Sequence, residues 1–334
     1  MWCDRLSLPT ISQPRKTEAS GDSGLGHFQN HAPLTGDDFP SLQELQKEMK
    51  GAGFHSRASI EEVHSARKQF QDGHRREGLL VMESLARAQN APSLMVAVAR
   101  ALAIEGDQAK ATELLNSDIA KRMNPATLGE AYMTIGDLQQ ASIYLEQALS
   151  APSPQIATFI NLSTVYWSSG QNARSRSVVE NGMKHYPKKA SLFYALGQTY
   201  LGEAVYDKVA DEGERRKLIL KGLSAYKTAM NLSLNSPLER IAAINNVGLA
   251  VHELGLDSTA AQYWSFDAEL CDKHKVKHAP LLLNLGNQML IRGGPGWIAA
   301  PAAVQLPLRD WRHALSRSAF APSTSRFKVG RATG

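Results

Sequence analysis

The sequence predicts an all-α solenoid of antiparallel helix pairs stacked in line, about six of them, one enlarged. Three observations carry this. Five tripeptides of one type recur: Thr127-Leu128-Gly129, Asn161-Leu162-Ser163, Ala195-Leu196-Gly197, Asn246-Val247-Gly248 and Asn284-Leu285-Gly286. Tyr132, Tyr166 and Tyr200 follow three of them, four residues after the leucine, at an even spacing of 34 residues. Gly136, Gly170 and Ala204 then follow each tyrosine by four, and Gly73, Gly106, Gly255 and Gly293 hold the same place in other copies. Self-similarity at a fixed period of this length marks a chain built from one repeated supersecondary unit.

Each element has a physical reason. The glycine after the aromatic position suits a tight helix–helix turn, where the backbone needs a positive φ. Small residues at Gly129, Ser163, Gly197, Gly248, Gly286, Ala141 and Ala260 let helices approach closely, with leucine, tyrosine and tryptophan filling the space around them. Pro152 and Pro187 stop the second helix of their pairs. Ser, Pro and Gly dominate the first 40 residues, a composition that does not build a core. Residues 1–55 are therefore expected to be largely without regular structure, apart from a short capping helix over 41–50.

The solenoid is expected over 56–293. After Tyr200 the charged stretch Asp207 to Arg216 carries no proline. It reads as two lengthened helices with Gly213 as their turn. Beyond Gly293, Pro295, Gly296, Pro301 and Pro307 forbid a regular second helix. Residues 294–334 thus form a divergent Ala/Pro/Arg/Ser-rich tail. Its Leu308, Trp311 and Leu315, spaced i, i+3, i+7, would make one apolar stripe if helical. That stripe would suit a makeshift cap over the last leucines.

The best copy reads Leu128, Gly129, Tyr132, Gly136, Ala141, Leu145 and Ala148, closed by Pro152 and Pro154. The next reads Leu162, Tyr166, Gly170, Val179 and Pro187. This pattern resembles the tetratricopeptide repeat family over residues 56–293. The longer spacing of Gly255 and Gly293, with Leu285-Gly286-Asn287, is similar to the kinesin-light-chain and Leu-Gly-Asn scaffold branch. The resemblance implies a right-handed superhelix whose concave face binds a protein or peptide. On the face away from the leucine and tyrosine knobs it places Asn161, Asn246 and Asn284, flanked by Thr164, Gln198, Asn245 and Asn287. An amide both donates and accepts, so a ladder of such groups can hold a peptide backbone.

Other functions find less support. The lysine, arginine and asparagine clamp by which many family members grip acidic chaperone tails is incomplete. Val96, Ala97, Ala126, Thr127, Ser191 and Ala195 stand at its positions, and Arg100 is the one basic group. Cys271, His274 and His278 share a face at i, i+3, i+7, a spacing that could serve zinc. No fourth ligand is evident, and Lys273, Lys275 and Lys277 would repel a cation, so the reading is a helix end and no metal. No phosphate-cradling glycine loop, nucleophile elbow or metalloprotease helix is present. Glu61, Glu62 and His64 read as a solvated helix start. The expectation is no enzyme, no cofactor and no small-molecule substrate.

The net charge of +5 invites a nucleic-acid reading, but its location weakens that. Arg292, Arg309, Arg312, Arg317, Arg326, Lys328 and Arg331 face only Asp310 in the last 43 residues, which leaves the body near neutral. A basic tail gives salt-sensitive attraction to polyanions without a reading surface, and the inner face lacks the basic and aromatic residues an RNA-binding helical repeat needs. No run of apolar residues is long enough to span a bilayer. Met1 to Arg5 show no secretory core segment. Two cysteines, Cys3 and Cys271, make no disulfide framework and suit a reducing, cytoplasmic setting. The functional expectation is a scaffold or adaptor holding a partner peptide in the groove. The alternative is a structural subunit of a larger assembly.

Overall fold

A computed structural model describes residues 39–41, 43–45, 47, 57–207, 209–276 and 284. Gly293, Gly286, Asn287, His278 and the tail, with the expectations placed on them, lie outside the described residues. Among those described there are only helices: α1 (Arg57–Gln71), α2 (Arg75–Ala88), α3 (Pro92–Ile104), α4 (Gln108–Leu115), α5 (Pro125–Thr134), α6 (Leu138–Leu149), α7 (Ile156–Ser168), α8 (Asn172–His185), α9 (Ala190–Tyr206), α10 (Glu212–Leu232), α11 (Pro237–Glu253) and α12 (Asp257–His274). A single 3-10 turn, Ala120–Arg122, lies between α4 and α5.

The helices pack in chain order. Odd-numbered helices form hairpins with the even-numbered helix that follows, and each hairpin packs on the next. The first helices also touch one another in a line, α3 on α5, α5 on α7, α7 on α9 and α9 on α11. The core therefore runs lengthwise. One stretch extends from Phe39 to Tyr166 and another from Tyr194 to Cys271, with Phe159, Val179 and Leu192 between them.

The turns follow from local chemistry. Gly73, Gly106, Gly136, Gly170 and Gly255 all take φ between +72° and +99°, as the repeat spacing requires. In two turns an aspartate follows and caps the next helix: Asp107 Oδ1 accepts from Lys110 N at 3.1 Å, and Asp137 Oδ1 from Gln140 N at 3.0 Å. One residue bends the chain and its neighbour satisfies an orphan amide. Between hairpins, Pro92, Pro125 and Pro237 open their helices, where a missing N–H costs nothing.

Close approach within hairpins also takes the expected form. A Cβ at Gly129 would lie 2.5 Å from Leu145 Cγ, and one at Gly197 would meet the Tyr226 ring at 2.7 Å. Ser163 and Ser175 form the polar version. Ser175 Oγ donates to the Ser163 carbonyl at 2.8 Å, so Ser163 Oγ is the donor in the 2.9 Å bond between the two hydroxyls. Two of the repeated tyrosines, Tyr132 and Tyr166, fill space and still partner their phenols. Tyr132 stacks on Tyr144 with centroids 5.3 Å apart and donates to Asn116 Oδ1 at 3.0 Å.

The enlarged pair has two lengthened helices, α9 of 17 residues and α10 of 21. Its turn is not at Gly213. Gly213 lies in the first turn of α10, where its N–H donates to the Asp211 carboxylate at 2.8 Å. Aspartate ahead of a charged helical run is a strong N-cap, so it sets the helix start before the glycine is reached. At the other end of the array, Phe39 meets Phe70 edge-on at 5.1 Å, and Ser41 and Glu44 form a reciprocal capping box.

Gly129→Leu is expected to lower unfolding free energy by about 1–3 kcal/mol or more, because overpacking must push α5 away from Leu145. Urea denaturation followed by circular dichroism measures this. An equally stable mutant would contradict the α5–α6 approach.

Candidate functional site

The first helices of five hairpins touch in a line, and several polar side chains lie on them. Asn161 on α7 is half-buried, and its Nδ2 donates to Glu130 Oε1 on α5 at 3.0 Å. Asn246 on α11 is 1% exposed; its Nδ2 donates to the Tyr194 hydroxyl on α9 at 2.8 Å and to the Ala242 carbonyl at 2.9 Å. Asn284 is half-buried, and its Nδ2 donates to Asn245 Oδ1 on α11 at 2.9 Å. Asn245 is itself buried.

The amides therefore make a different pattern from an open ladder. Each reaches back to the preceding first helix and bonds a side chain there. They act as rungs between neighbouring helices, which spends their donors inside the protein. Thr164 turns back to the Ile160 carbonyl at 2.9 Å on its own helix, and Gln198 is buried. The structure thus leaves Asn161 and Asn284 as partly open amides, while Asn245 and Asn246 belong to the interior.

Sequence reasoning missed the partners of these rungs, Glu130 and Tyr194. Glu130 is one of three charges on α3, α5, α7 and α9. Burial pushes its carboxyl up, while the Arg100 guanidinium on α3 and the Asn161 bond pull the other way. The offset of 31 residues between Glu130 and Asn161, close to the repeat period, was a usable signal. Tyr194 had no such signal, because its 52-residue offset from Asn246 spans the enlarged pair. Burial holds the Tyr194 phenol well above its ordinary range, opposed by the Asn246 bond.

Elsewhere the chemistry is quiet. Of the chaperone-clamp positions, Val96, Ser191 and Ala195 are buried. Thr127 Oγ1 donates to Asn124 Oδ1 at 3.1 Å, inside the α5 cap. Glu61, Glu62 and His64 are exposed on α1. Among the described residues no group of three His, Cys, Asp or Glu side chains is placed to hold a metal. Cys271 is buried, and its thiol is pushed up to about 12 by burial, with Asp267 and Asp272 adding to it. A metal ligand must be a thiolate, which this setting opposes. No described helix is long and apolar enough to cross a membrane.

The sequence matches no known family model and no curated protein.

Two outcomes check this geometry. Asn246→Ala should cost about 1–3 kcal/mol of stability, because it removes the donor serving the Tyr194 hydroxyl and the Ala242 carbonyl in the interior; thermal melting reads it. In a Cys3→Ser background, Cys271 should resist iodoacetamide at pH 8 while folded and react once denatured. The folded thiol holds its proton up to about 12, whereas the unfolded one loses it near the usual 8.5. Equal labelling of both states would contradict the burial.

Proposed function

We propose that this protein is a non-catalytic scaffold or adaptor of tetratricopeptide type that holds a partner peptide along its line of first helices. In this reading the hairpins are repeats of a right-handed superhelix, six in number with α9 and α10 enlarged, and the protein works in the cytoplasm. The observation that supports it is the continuous α3–α5–α7–α9–α11 row. A surface built from five successive first helices suits an extended segment, since about three residues of the ligand, at ~3.3–3.6 Å each, span the ~10 Å from one helix to the next.

The half-buried polar groups Arg100, Glu130 and Asn161 mark its N-terminal half, and Asn284 its far end. The peptide-binding set proposed from sequence, Asn161, Thr164, Gln198, Asn245, Asn246, Asn284 and Asn287, then divides by role. Asn161 and Asn284 touch the ligand directly, and the buried members hold the helices that present them. A second reading, a structural subunit of a larger assembly, draws on another feature. Leu232, Leu234 and Leu238 are 41%, 61% and 45% exposed around the α10–α11 connection.

Affinity purification from the native cell supplies the partner. Asn161→Ala should then weaken that partner by about 1–3 kcal/mol, with folding intact by circular dichroism. Substituting Leu232 and Leu234 by serine should leave it unchanged. The reverse result would favour the assembly reading and sink the groove.

A further inference from the structure

The first helices differ from the second helices in charge. Along α3, α5, α7 and α9 the acidic and basic residues are Arg100, Glu130 and Glu203 alone, and Glu203 is already paired with Arg176 of α8. The second helices carry ion pairs throughout, such as Arg87 and Lys110 with Glu83 and Glu113, and Arg174 with Glu146. From α3 to α9 the row therefore carries few charges, with one polar point where α3, α5 and α7 meet, while α11 adds Glu239, Arg240 and Glu253 at its far end.

At that point Arg100 and Glu130 feel each other's charge, but no hydrogen bond joins them. Glu130 takes one bond, from Asn161. Arg100 Nε is buried with no hydrogen-bond partner among the described residues. The cluster is thus net neutral and holds a cation with unspent donors beside a carboxylate and an amide with unspent acceptors. A carboxylate ligand would satisfy Arg100 and be repelled by Glu130. An ammonium ligand would do the reverse. A group that is neutral, and carries an acceptor and a donor side by side, satisfies both.

We propose that Arg100, Glu130 and Asn161 form a carboxamide-reading site, which takes an asparagine or glutamine side chain of an otherwise uncharged partner segment. The ligand's C=O accepts from Arg100 and its NH2 donates to Glu130 or to Asn161 Oδ1. This rests on the groove reading and adds to it the chemical class of the segment. It also accounts for a groove with few charges: an acidic or basic segment would leave its own charges uncompensated against α7 and α9.

The test is a displayed library of random 12-residue peptides selected against the full chain, followed by synthetic peptide pairs that differ only by Gln→Glu or Gln→Lys at the enriched position. The wild type should select uncharged sequences with a recurring Gln or Asn, and bind the Gln peptide about tenfold more tightly than either charged one, a step of about 1.4 kcal/mol. Glu130→Gln keeps an acceptor for Asn161 but unbalances Arg100, so the preference should shift to the Glu peptide. Arg100→Met should shift it to the Lys peptide, which keeps the test open if one variant fails to fold by circular dichroism. Peptides that bind the row without Gln preference, or a preference that neither variant moves, overturn the carboxamide site and leave the groove standing. Selection that returns no peptide whose binding Asn161→Ala weakens overturns both.

Discussion

A helix hairpin has one apolar face more than it can cover. In this chain the two helices of a pair are pressed together at small residues, Gly129 against Leu145 and Gly197 against Tyr226, so their mutual face closes tightly. What remains apolar must be covered by the next hairpin, and that need propagates the array along the chain. Everything else follows from this. The core is a line, and the first helices α3, α5, α7, α9 and α11 touch along a common side.

A linear core brings a weakness with it, because each hairpin is held only by its neighbours. The amide rungs address it. Asn161 to Glu130, Asn246 to Tyr194 and Asn284 to Asn245 all tie a first helix to the one before it. A buried hydrogen bond of this kind contributes modestly when made but costs more when one partner is lost. It therefore fixes register between neighbours more than it adds to net stability. The Ser163–Ser175 pair does the same inside its hairpin. Polar groups that suggested a binding face from sequence are in good part the means by which that face is aligned.

Such a division bears on function. In the proposed reading, the stretch from α3 to α9, with few charges and one polar cluster, would suit recognition by shape and by a single oriented hydrogen-bonding group. The second helices carry many of the ion pairs, with Arg87 and Lys110 bonded to Glu83 and Glu113, and Arg174 laid over the Tyr166 ring. Exposed leucines gather at the α10–α11 connection, next to the enlarged pair.

The sequence by itself determined the helix pairs, the positions of five turns and the residues at which helices close on each other. These depend on local rules: only glycine takes the positive φ at low cost, only a small side chain admits a neighbouring backbone, and both recur at a readable period. It misplaced the turn at Gly213, because the competing signal, the Asp211 cap, lies two residues away and starts the helix first. Only the tertiary structure decided which amides face water. Asn161 and Asn246 hold equivalent places in their repeats, yet one is half-buried and the other sealed under α9. The seal is Tyr194 of α9, 52 residues away in the chain, and no residue near Asn246 encodes that approach.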